Sequence, residues 1–197
     1  MNKIRNLYAF GCSHTFGHSL PDCHGSDHPS KYSYANLVAQ QLGYNCINKA
    51  APGSSVKYSV HQLLKENITS DDVVLFQLSD YSRTCILDKE GQHIIMPNGS
   101  HKDKTSRIYY KNLYRDIDAK LVYADFAKLI RSYLESLQCK YIIYVLKKQD
   151  YFDGVSNLPY IRNPGYEYVD YADDNSHAGI KSHELFAEKI LNIYRNG

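Results

Sequence analysis

Two short segments near opposite ends of the chain carry side chains that could act together in nucleophilic catalysis. The turn Gly11–Gly17 presents Ser13 directly after an apolar run, with its hydroxyl exposed and its backbone N–H able to donate. Far along the chain, Asp174 stands three residues before His177, a spacing that lets the carboxylate fix the imidazole tautomer. These residue types match a serine nucleophile, a general base and the acid that orients the base.

Each segment also has an ordinary structural interpretation. A serine in a glycine-rich turn commonly only forms the turn, and Asp, Asn and Ser cluster at helix N-termini as caps. Cys12 is a second candidate nucleophile, but its side chain is expected to point away from that of Ser13 and to pack under the turn. The catalytic interpretation therefore requires a fold that brings the two segments together.

Alternating strands and helices are predicted to supply that fold. Apolar runs predict buried strands at residues 4–10, 45–48, 73–76 and 141–146. Helical periodicity predicts helices at residues 32–42, 56–64, 119–137 and from about 179 onward. The alternation predicts one α/β domain, residues 1–197, with helices on both faces of a parallel sheet. Ligands bind beyond the carboxyl ends of such strands, and Ser13 follows the first strand.

Residues 80–118 interrupt the alternation and are predicted to be an insertion. Two short apolar runs at 85–87 and 93–96 predict a hairpin, followed by a polar loop. The stretch His101–Arg115 interleaves basic and aromatic residues, which describes either a solvated loop or a single-strand nucleic-acid platform. On the second interpretation, binding would depend on Lys102, Lys104, Arg107 and Lys111. The formal net charge of +2 is too small for non-specific nucleic-acid or membrane binding, so neither partner is expected.

Histidine and cysteine usage bears on metals and on the compartment. Five candidate ligands lie in one amino-terminal segment: His14, His18, Cys23, His24 and His28. Their spacing fits no closed tetrahedral zinc pattern, so no metal and no cofactor are expected. The 5 cysteines are scattered without a CxxC pair, which favours free thiols in a reducing compartment. The start of the chain lacks a signal-peptide core and no apolar run approaches ~20 residues, so we expect a cytoplasmic or virion-associated protein.

Three blocks of the sequence resemble those of the SGNH hydrolases, also called the GDSL esterase and lipase family. Gly11–Thr15 looks like the first block, with Cys12 where Asp is commonest. Asn48–Ser55 looks like the second block, whose glycine is Gly53. Asp174–His177 is similar to the last block, and the order and spacing of the blocks agree over nearly the whole chain.

The last block continues into the final helix. Ser182 stands where the family usually has Gly, and His183 is expected to lie on the helix face without a catalytic role. The family's Asp-x-x-His spacing to His177 selects Asp174 over Asp173 as the partner of the histidine.

The resemblance implies a flavodoxin-like three-layer α/β/α fold with the insertion at 80–118, and a serine esterase. In that family, the residue at the position of Ser13 attacks an ester carbonyl, that of His177 is the base, and that of Asp174 orients it. The backbone N–H groups of Ser13 and Gly53 are implied as oxyanion donors. No cofactor is implied.

The third block departs from the family pattern. The family usually has Gly-x-Asn-Asp after the third strand, with the Asn side chain as an oxyanion donor, whereas this chain has Gln77–Arg83 without an Asn. Losing one such donor typically costs about 10²- to 10³-fold in rate unless another group replaces it. Ser79 is the expected replacement, and the other candidates are Gln77, Ser82 and Arg83. The expected substrate contacts are Arg83, His14 and Ser54.

The predicted function is hydrolysis of small O-acyl esters, particularly acetyl groups on carbohydrate, through an acyl-enzyme. The chain has no extended apolar lid segment of the kind long-chain lipases use. Two alternatives stay open: an O-acyltransferase at the same site, and a non-enzymatic carbohydrate-binding or structural protein that keeps the fold. The altered third block and the 19 tyrosines motivate the second alternative. The oligomeric state is not predicted.

Overall fold

The computed structural model describes residues 5–23, 27–89, 93–96, 104–146 and 158–196 of the 197-residue chain. The strands are β1 (Asn6–Phe10), β2 (Asn45–Asn48), β3 (Val73–Gln77), β4 (Thr84–Leu87), β5 (His93–Met96), β6 (Lys140–Tyr144) and β7 (Ile161–Arg162). The helices are α1 (Ser13–Phe16), α2 (Tyr34–Leu42), α3 (Val56–Leu63), α4 (Lys104–Asn112), α5 (Asp116–Ser136) and α6 (Ile180–Asn196).

The main sheet has five parallel strands in the order β2-β1-β3-β6-β7. This is the flavodoxin-like order, in which β1 lies inside the sheet, β2 is added on one side of β1, and the later strands are added on the other side. Phe10 is paired with Phe76, and Gln77 with Tyr144, so β1, β3 and β6 end at the same edge. The segments that follow these strands therefore meet at that edge.

Alternate residues of the strands contact different helix layers. Leu7, Leu75 and Tyr144 belong to the cluster that includes buried residues of α2 and α6. Phe10 and Phe76 belong to the cluster on the opposite face, which includes buried residues of α3 and α5. Because side chains alternate along a strand, a sheet covered on both faces is apolar throughout, and all five residues of β3 are buried. The three-layer α/β/α prediction is confirmed.

Helix ends follow from local sequence. The Ser33 hydroxyl accepts from the Asn36 N–H at the start of α2, and the Ser55 hydroxyl accepts from the Tyr58 N–H at the start of α3. Helix α2 ends at Gly43, whose φ of 69° is in the left-handed region that favours glycine. These caps fix where the loops leave the helices, and so fix the direction from which they reach the sheet edge.

The insertion contains the predicted hairpin and an additional helix. Strands β4 and β5 pair antiparallel with Leu87 opposite His93, as the sequence predicts. The prediction of a solvated loop over His101–Arg115 is wrong for 104–112, which form α4, and residues 101–103 lie outside the described residues. On α4, Ser106 is buried and Tyr110 donates to the Ser82 carbonyl. This tertiary contact stabilises α4, whose mostly polar sequence does not indicate which face is buried.

Two further short elements were not predicted. Helix α1 begins at Ser13, within a segment expected to be a loop, and β7 adds a two-residue strand to the sheet. All five cysteines are free thiols. Among the described residues, no helix combines the length and the hydrophobicity needed to span a lipid bilayer.

Candidate functional site

The turn that carries Ser13 is anchored from below by Gln77, the last residue of β3. The Gln77 side-chain carbonyl accepts from the Cys12 N–H at 3.0 Å and from the Thr15 hydroxyl at 2.7 Å. Its amide nitrogen lies 3.1 Å from Cys12 Sγ, so the Cys12 side chain is buried under the turn as expected. A Cβ at Gly11 would collide with the Gln77 side chain and the Thr15 hydroxyl, so only glycine fits there.

A chain of buried hydroxyls continues from this anchor into the core. Tyr34 lies 2.5 Å from Thr15 and 2.7 Å from Tyr144, each distance joining two hydroxyl oxygens. Burial raises the pKa of Tyr34 well above its usual range, so the phenol stays protonated and can donate to one neighbour while accepting from another. The nucleophile turn therefore rests on a buried network with its polar groups bonded, which resists distortion.

The second block braces the same turn from the side. Asn48 donates from its side chain to the Thr15 carbonyl at 2.7 Å, and Ser54 donates from its hydroxyl to the Gly11 carbonyl at 2.7 Å. Ser54 is fully buried and its hydroxyl supports the turn, while the expected substrate contact of Ser54 stays a prediction. Gly53, one residue earlier, has a φ of 73°, a left-handed turn that favours glycine.

Asp174 and His177 form a hydrogen-bonded pair in the turn before α6. The Asp174 carboxylate accepts from His177 Nδ1 at 2.6 Å and from the His177 backbone N–H at 2.9 Å. The Ser176 N–H adds a third hydrogen bond at 3.0 Å. Neither ring nor carboxylate is sealed from solvent, with side-chain exposures of 24% for His177 and 28% for Asp174. The turn holds the imidazole in one orientation with Nδ1 occupied.

Hydrogen bonds and ring contacts join this pair to the nucleophile turn. The Ser19 hydroxyl donates to Asp174 at 2.9 Å, and the Ser19 carbonyl accepts from the Asp173 N–H at 3.2 Å. The ring of His14, the residue after Ser13, lies 5.6 Å from that of His177 between centroids. Ser13 begins α1, directly precedes His14 and is 8% exposed. The fold thus brings the two sequence-distant segments together at one sheet edge.

The electrostatic environment keeps Asp174 ionised. Desolvation opposes the charged form, but the hydrogen bonds from His177, Ser176 and Ser19 outweigh it and hold the pKa well below the usual range. An ionised carboxylate only accepts hydrogen bonds, so the Nδ1 atom of His177 carries a hydrogen, and in the neutral imidazole the lone pair is then on Nε2. This is the tautomer that a general base needs.

Some polar side chains of the third block are hydrogen-bonded within the protein, and others have no hydrogen-bond partner among the described residues. Gln77 is occupied by the nucleophile turn, and both the N–H and the hydroxyl of Ser82 bond to Asp80. Ser79 is 1% exposed, and its hydroxyl has no hydrogen-bond partner among the described residues. Of the expected replacements for the missing Asn, Ser79 and Arg83 therefore have uncommitted donors.

A cavity of about 270 Å³ opens beside this loop, between α3, α5 and the insertion. Its aromatic lining consists of Tyr81, Tyr109, Tyr114, Tyr123 and Phe126, and its cationic lining consists of Lys57, Arg83 and Arg115. The cavity reaches Val56, three residues after Gly53, and Asp80, one residue after Ser79. Its lining thus comes within three residues of both candidate oxyanion positions along the chain, and it includes Arg83, an expected substrate contact.

His14 and His183 have different surroundings. His14 Nε2 lies 3.1 Å from the Tyr168 hydroxyl, and the ring packs 5.2 Å from that of Tyr166 between centroids. His183 is buried on α6, where its Nδ1 accepts from the Tyr34 N–H at 3.1 Å. Burial lowers the pKa of His183 to about 4, so it is neutral and ties α6 to the start of α2.

The candidate metal ligands that lie close together in the structure are not those that lie close together in the sequence. Sequence spacing drew attention to one histidine-rich loop, of which His24 lies outside the described residues. The structure instead brings His18 from that loop together with Asp174 and His177, their candidate ligand atoms lying within 4.8 Å of one another. Distance along the chain concealed this group.

Several supporting residues were missed by sequence reasoning. Ser19 and His18 sit in an aperiodic loop, so nothing local links them to Asp174, and Ser19 has an unusual φ of 65°. Asp170 accepts hydrogen bonds from the Lys181 N–H and from both the N–H and the hydroxyl of Ser182. Asp170 therefore caps the start of α6, although it lies 10 residues before the first residue of that helix. For Gln77, the sequence gives one indication of a role in the site: it is a polar residue at the end of a buried central strand.

Comparison with known proteins supports the fold. No protein-family model and no curated protein matches the chain. A carbohydrate esterase structure with divergent catalytic and non-catalytic binding functions in its active site aligns at 13% identity and a TM-score of 0.64, covering 100% of this chain and 67% of the esterase. The acetyl xylan esterase Est2A from the rumen bacterium Butyrivibrio proteoclasticus aligns at 14% identity and a TM-score of 0.57, covering 98% and 64%.

A third structure matches over most of both chains. It is named as a lipolytic protein of the G-D-S-L family from Desulfitobacterium hafniense, and aligns at 11% identity and a TM-score of 0.54, covering 94% of this chain and 97% of that one. The chain spans about two thirds of the two carbohydrate esterases and nearly all of this shorter protein. At these identities the similarity is one of fold, and the fold is that of the SGNH hydrolases.

Proposed function

We propose that the protein is a serine esterase that hydrolyses small O-acyl esters, with Ser13 as nucleophile, His177 as general base and Asp174 as the residue that orients His177. The observation that carries the proposal is the Asp174–His177 hydrogen bond of 2.6 Å in a turn bonded through Ser19 to the segment that bears Ser13. A carboxylate–imidazole pair beside a serine at a helix start is the arrangement of an activated nucleophile.

The reaction proceeds through an acyl-enzyme. The Ser13 hydroxyl oxygen attacks the ester carbonyl carbon while its proton passes to His177 Nε2. Collapse of the tetrahedral intermediate breaks the bond to the alcohol oxygen, which leaves with that proton. Water then attacks the acyl-serine, again giving its proton to His177, and the acid departs as the proton returns to Ser13. Asp174 stays ionised throughout and stabilises the imidazolium that forms in each half.

Three donors are assigned to the oxyanion. The backbone N–H of Ser13 is the first, since the N–H of the first residue of a helix has no intrahelical acceptor. The backbone N–H of Gly53 is the second, as the family resemblance implies. The Ser79 hydroxyl is the third, because it is uncommitted and stands where the family's Asn would be.

The cavity beside the third block is assigned to the alcohol part of the ester. Its aromatic lining offers flat faces to a sugar ring, and Arg83 in the lining offers a donor. Arg83 and Lys57 form no ion pair with any described residue, so both cations are available to hydroxyl or acidic groups of a carbohydrate. The acetyl xylan esterase among the structural neighbours favours acetylated carbohydrate as the substrate class.

Hydrolysis of 4-nitrophenyl acetate and of acetylated xylo-oligosaccharides by the purified protein tests the proposal. Ser13→Ala is expected to remove activity on both substrates, by at least about 10³-fold. Ser136→Ala, which changes an exposed serine at the end of α5, is the matched control and should retain full activity. Equal activity of Ser13→Ala and the wild-type protein would overturn the assignment.

An O-acyltransferase using the same residues would differ only in the fate of the acyl group. Adding xylo-oligosaccharide as an acceptor to the 4-nitrophenyl acetate assay separates the two reactions. A hydrolase releases acetate in proportion to nitrophenol, whereas a transferase diverts acetate onto the sugar. We expect release of acetate.

A further inference from the structure

The three residues His18, Asp174 and His177 form a group with a composition that the esterase mechanism does not require. The mechanism uses Asp174 and His177, but it gives no role to His18, whose ring lies 5.0 Å from that of His177 in an edge-on arrangement. The candidate ligand atoms of all three lie within 4.8 Å of one another. Two imidazoles and one carboxylate at this separation resemble a three-ligand zinc site with an open fourth position.

The geometry needs little adjustment to accept an ion. A tetrahedral ion with bonds of about 2.0–2.2 Å holds its ligand atoms roughly 3.3–3.6 Å apart, so shifts of about 1 Å suffice. Asp174 is held by the backbone N–H groups of Ser176 and His177, which both bond to the carboxylate oxygen that faces away from the imidazole. The Ser19 hydroxyl stays bonded to the other oxygen, which faces the imidazole, as an outer partner.

We infer that His18, Asp174 and His177 form a binding site for Zn²⁺ that switches the esterase site off. The ion takes the place of the proton shared by Asp174 and His177, binding Asp174 Oδ2, His177 Nδ1 and a ring nitrogen of His18. His177 remains neutral: Nδ1 loses its proton to solvent as it binds the ion, and Nε2 takes up a proton from solvent. The proton count of the ring is unchanged.

The consequence for catalysis follows from the tautomer. In the free protein Nε2 has a lone pair to accept the proton of Ser13, and in the zinc-bound protein Nε2 carries a hydrogen. The imidazole then cannot act as the general base. Binding of the ion does not depend on the proposed esterase activity, but the inhibition rests on it.

Zinc is favoured over harder ions by the ligand set. Mg²⁺ and Ca²⁺ prefer all-oxygen sites, whereas imidazole suits zinc and its neighbours in the first transition series. The partial exposure of Asp174 and His177 gives the ion direct access from solvent. Thus the ion can enter and leave without unfolding of the turn.

The binding test uses Zn²⁺ alone, titrated against a chromophoric chelator, and the Ser13→Ala protein so that no catalytic step intervenes. We expect stoichiometric binding, weakened at least about tenfold by a second change, His18→Gln. His61→Gln removes an imidazole from α3, outside the group, and is the matched control that should bind as tightly as its parent. Equal affinity of the His18→Gln and His61→Gln proteins would overturn the proposal.

A second readout does not depend on the variants folding. Nitrogen-15 spectra of the histidine rings report the tautomer of His177, and zinc is expected to move its proton from Nδ1 to Nε2. A zinc-saturated protein in which His177 keeps its Nδ1 proton would contradict the site. In wild-type protein, zinc should slow labelling of Ser13 by a fluorophosphonate, and a chelator should restore it. If Ser13 is never labelled, the esterase proposal fails while the two binding tests still decide the metal site.

Discussion

The nucleophile turn and the third-block loop lie at the same sheet edge but differ in how completely their polar groups are bonded. Around Ser13, the turn is tied down by Gln77, Asn48 and Ser54 through buried hydrogen bonds. In the third block, Ser79 has a buried hydroxyl without a described partner, and Arg83 has no ion pair with a described residue. The first region fixes a geometry, and the second keeps donors available.

This difference has an energetic meaning. A buried donor without a partner lowers the free energy of unfolding by about 1–3 kcal/mol, so the Ser79 hydroxyl destabilises the fold unless something bonds to it. An oxyanion that forms only during the reaction would be such a partner, and it would be bound more tightly than the ground-state ester. Under the proposed function, the bonded turn would hold the nucleophile and the unbonded hydroxyl would donate to the developing charge.

The largest expected effect comes from Asp174, the carboxylate that Ser19 links to the nucleophile turn. Asp174→Asn should lower kcat/KM by about 10⁴-fold, because an amide no longer fixes the His177 tautomer with Nε2 unprotonated. Asp173→Asn changes the neighbouring exposed carboxylate, whose backbone alone contacts Ser19, and should leave kcat/KM within a few-fold. Steady-state kinetics on 4-nitrophenyl acetate make the comparison. A larger loss for Asp173→Asn would reassign the orienting residue.

The next effect tests the unbonded region directly. Ser79→Ala should lower kcat by about 10²- to 10³-fold if its hydroxyl donates to the oxyanion. Ser59 on α3 is also buried with an unpartnered hydroxyl, so Ser59→Ala is the matched control and should retain kcat. Removing either hydroxyl leaves folding stability unchanged or raised, so lost rate will not reflect unfolding. An unchanged kcat for Ser79→Ala would leave the oxyanion to backbone donors alone.

A smaller effect is expected on the stability of the bonded region. Gln77→Met should lower the free energy of unfolding by about 1–3 kcal/mol, because the buried Cys12 N–H and Thr15 hydroxyl lose their acceptor. Gln41→Met, at an exposed position of α2, is the control and should change it by less than about 0.5 kcal/mol. Urea denaturation measures both. Indistinguishable midpoints would show that the anchor contributes nothing to stability.

The smallest expected effect is on the pH dependence of stability, through the buried His183 on α6. The pKa of His183 is about 4 in the folded protein, against 6.5 ordinarily, because burial disfavours its charged form. The unfolded chain therefore binds more protons than the native protein between those values, and stability falls as pH drops from about 6.5 to 4. His183→Asn should lack this loss, about 1–3 kcal/mol in size. Shared contributions from Asp170 and Asp174 cancel when the two proteins are compared across this range.

The sequence predicts the sheet well because its signals are local. Strand β2 was predicted with the bounds observed, and the end of α2 followed from Gly43. Helix α4 was missed because a helix with one short inner face, at Ser106 and Tyr110, has no strong apolar periodicity. Its formation depends on a contact with Ser82 that local sequence cannot reveal.

For the candidate site, the sequence predicts the chemistry of single residues better than their relations. The Asp174–His177 pairing follows from a spacing of three residues in one turn and is observed. The roles of Ser54 and Ser19 could not be read in the same way, because each depends on which distant carbonyl or carboxylate the fold brings near. Chain-distant hydrogen bonds, such as that from Cys12 to Gln77, are set by strand register.

The most direct test of the account is the intact mass of the purified protein after reaction with a fluorophosphonate, followed by mapping of the modified residue. We expect a single adduct on Ser13, absent from Ser13→Ala and strongly reduced in His177→Ala, because the hydroxyl must be activated by the imidazole to displace fluoride. An adduct that persists in both variants, or one mapped to a residue other than Ser13, would contradict the claim that the two ends of the chain assemble an activated serine.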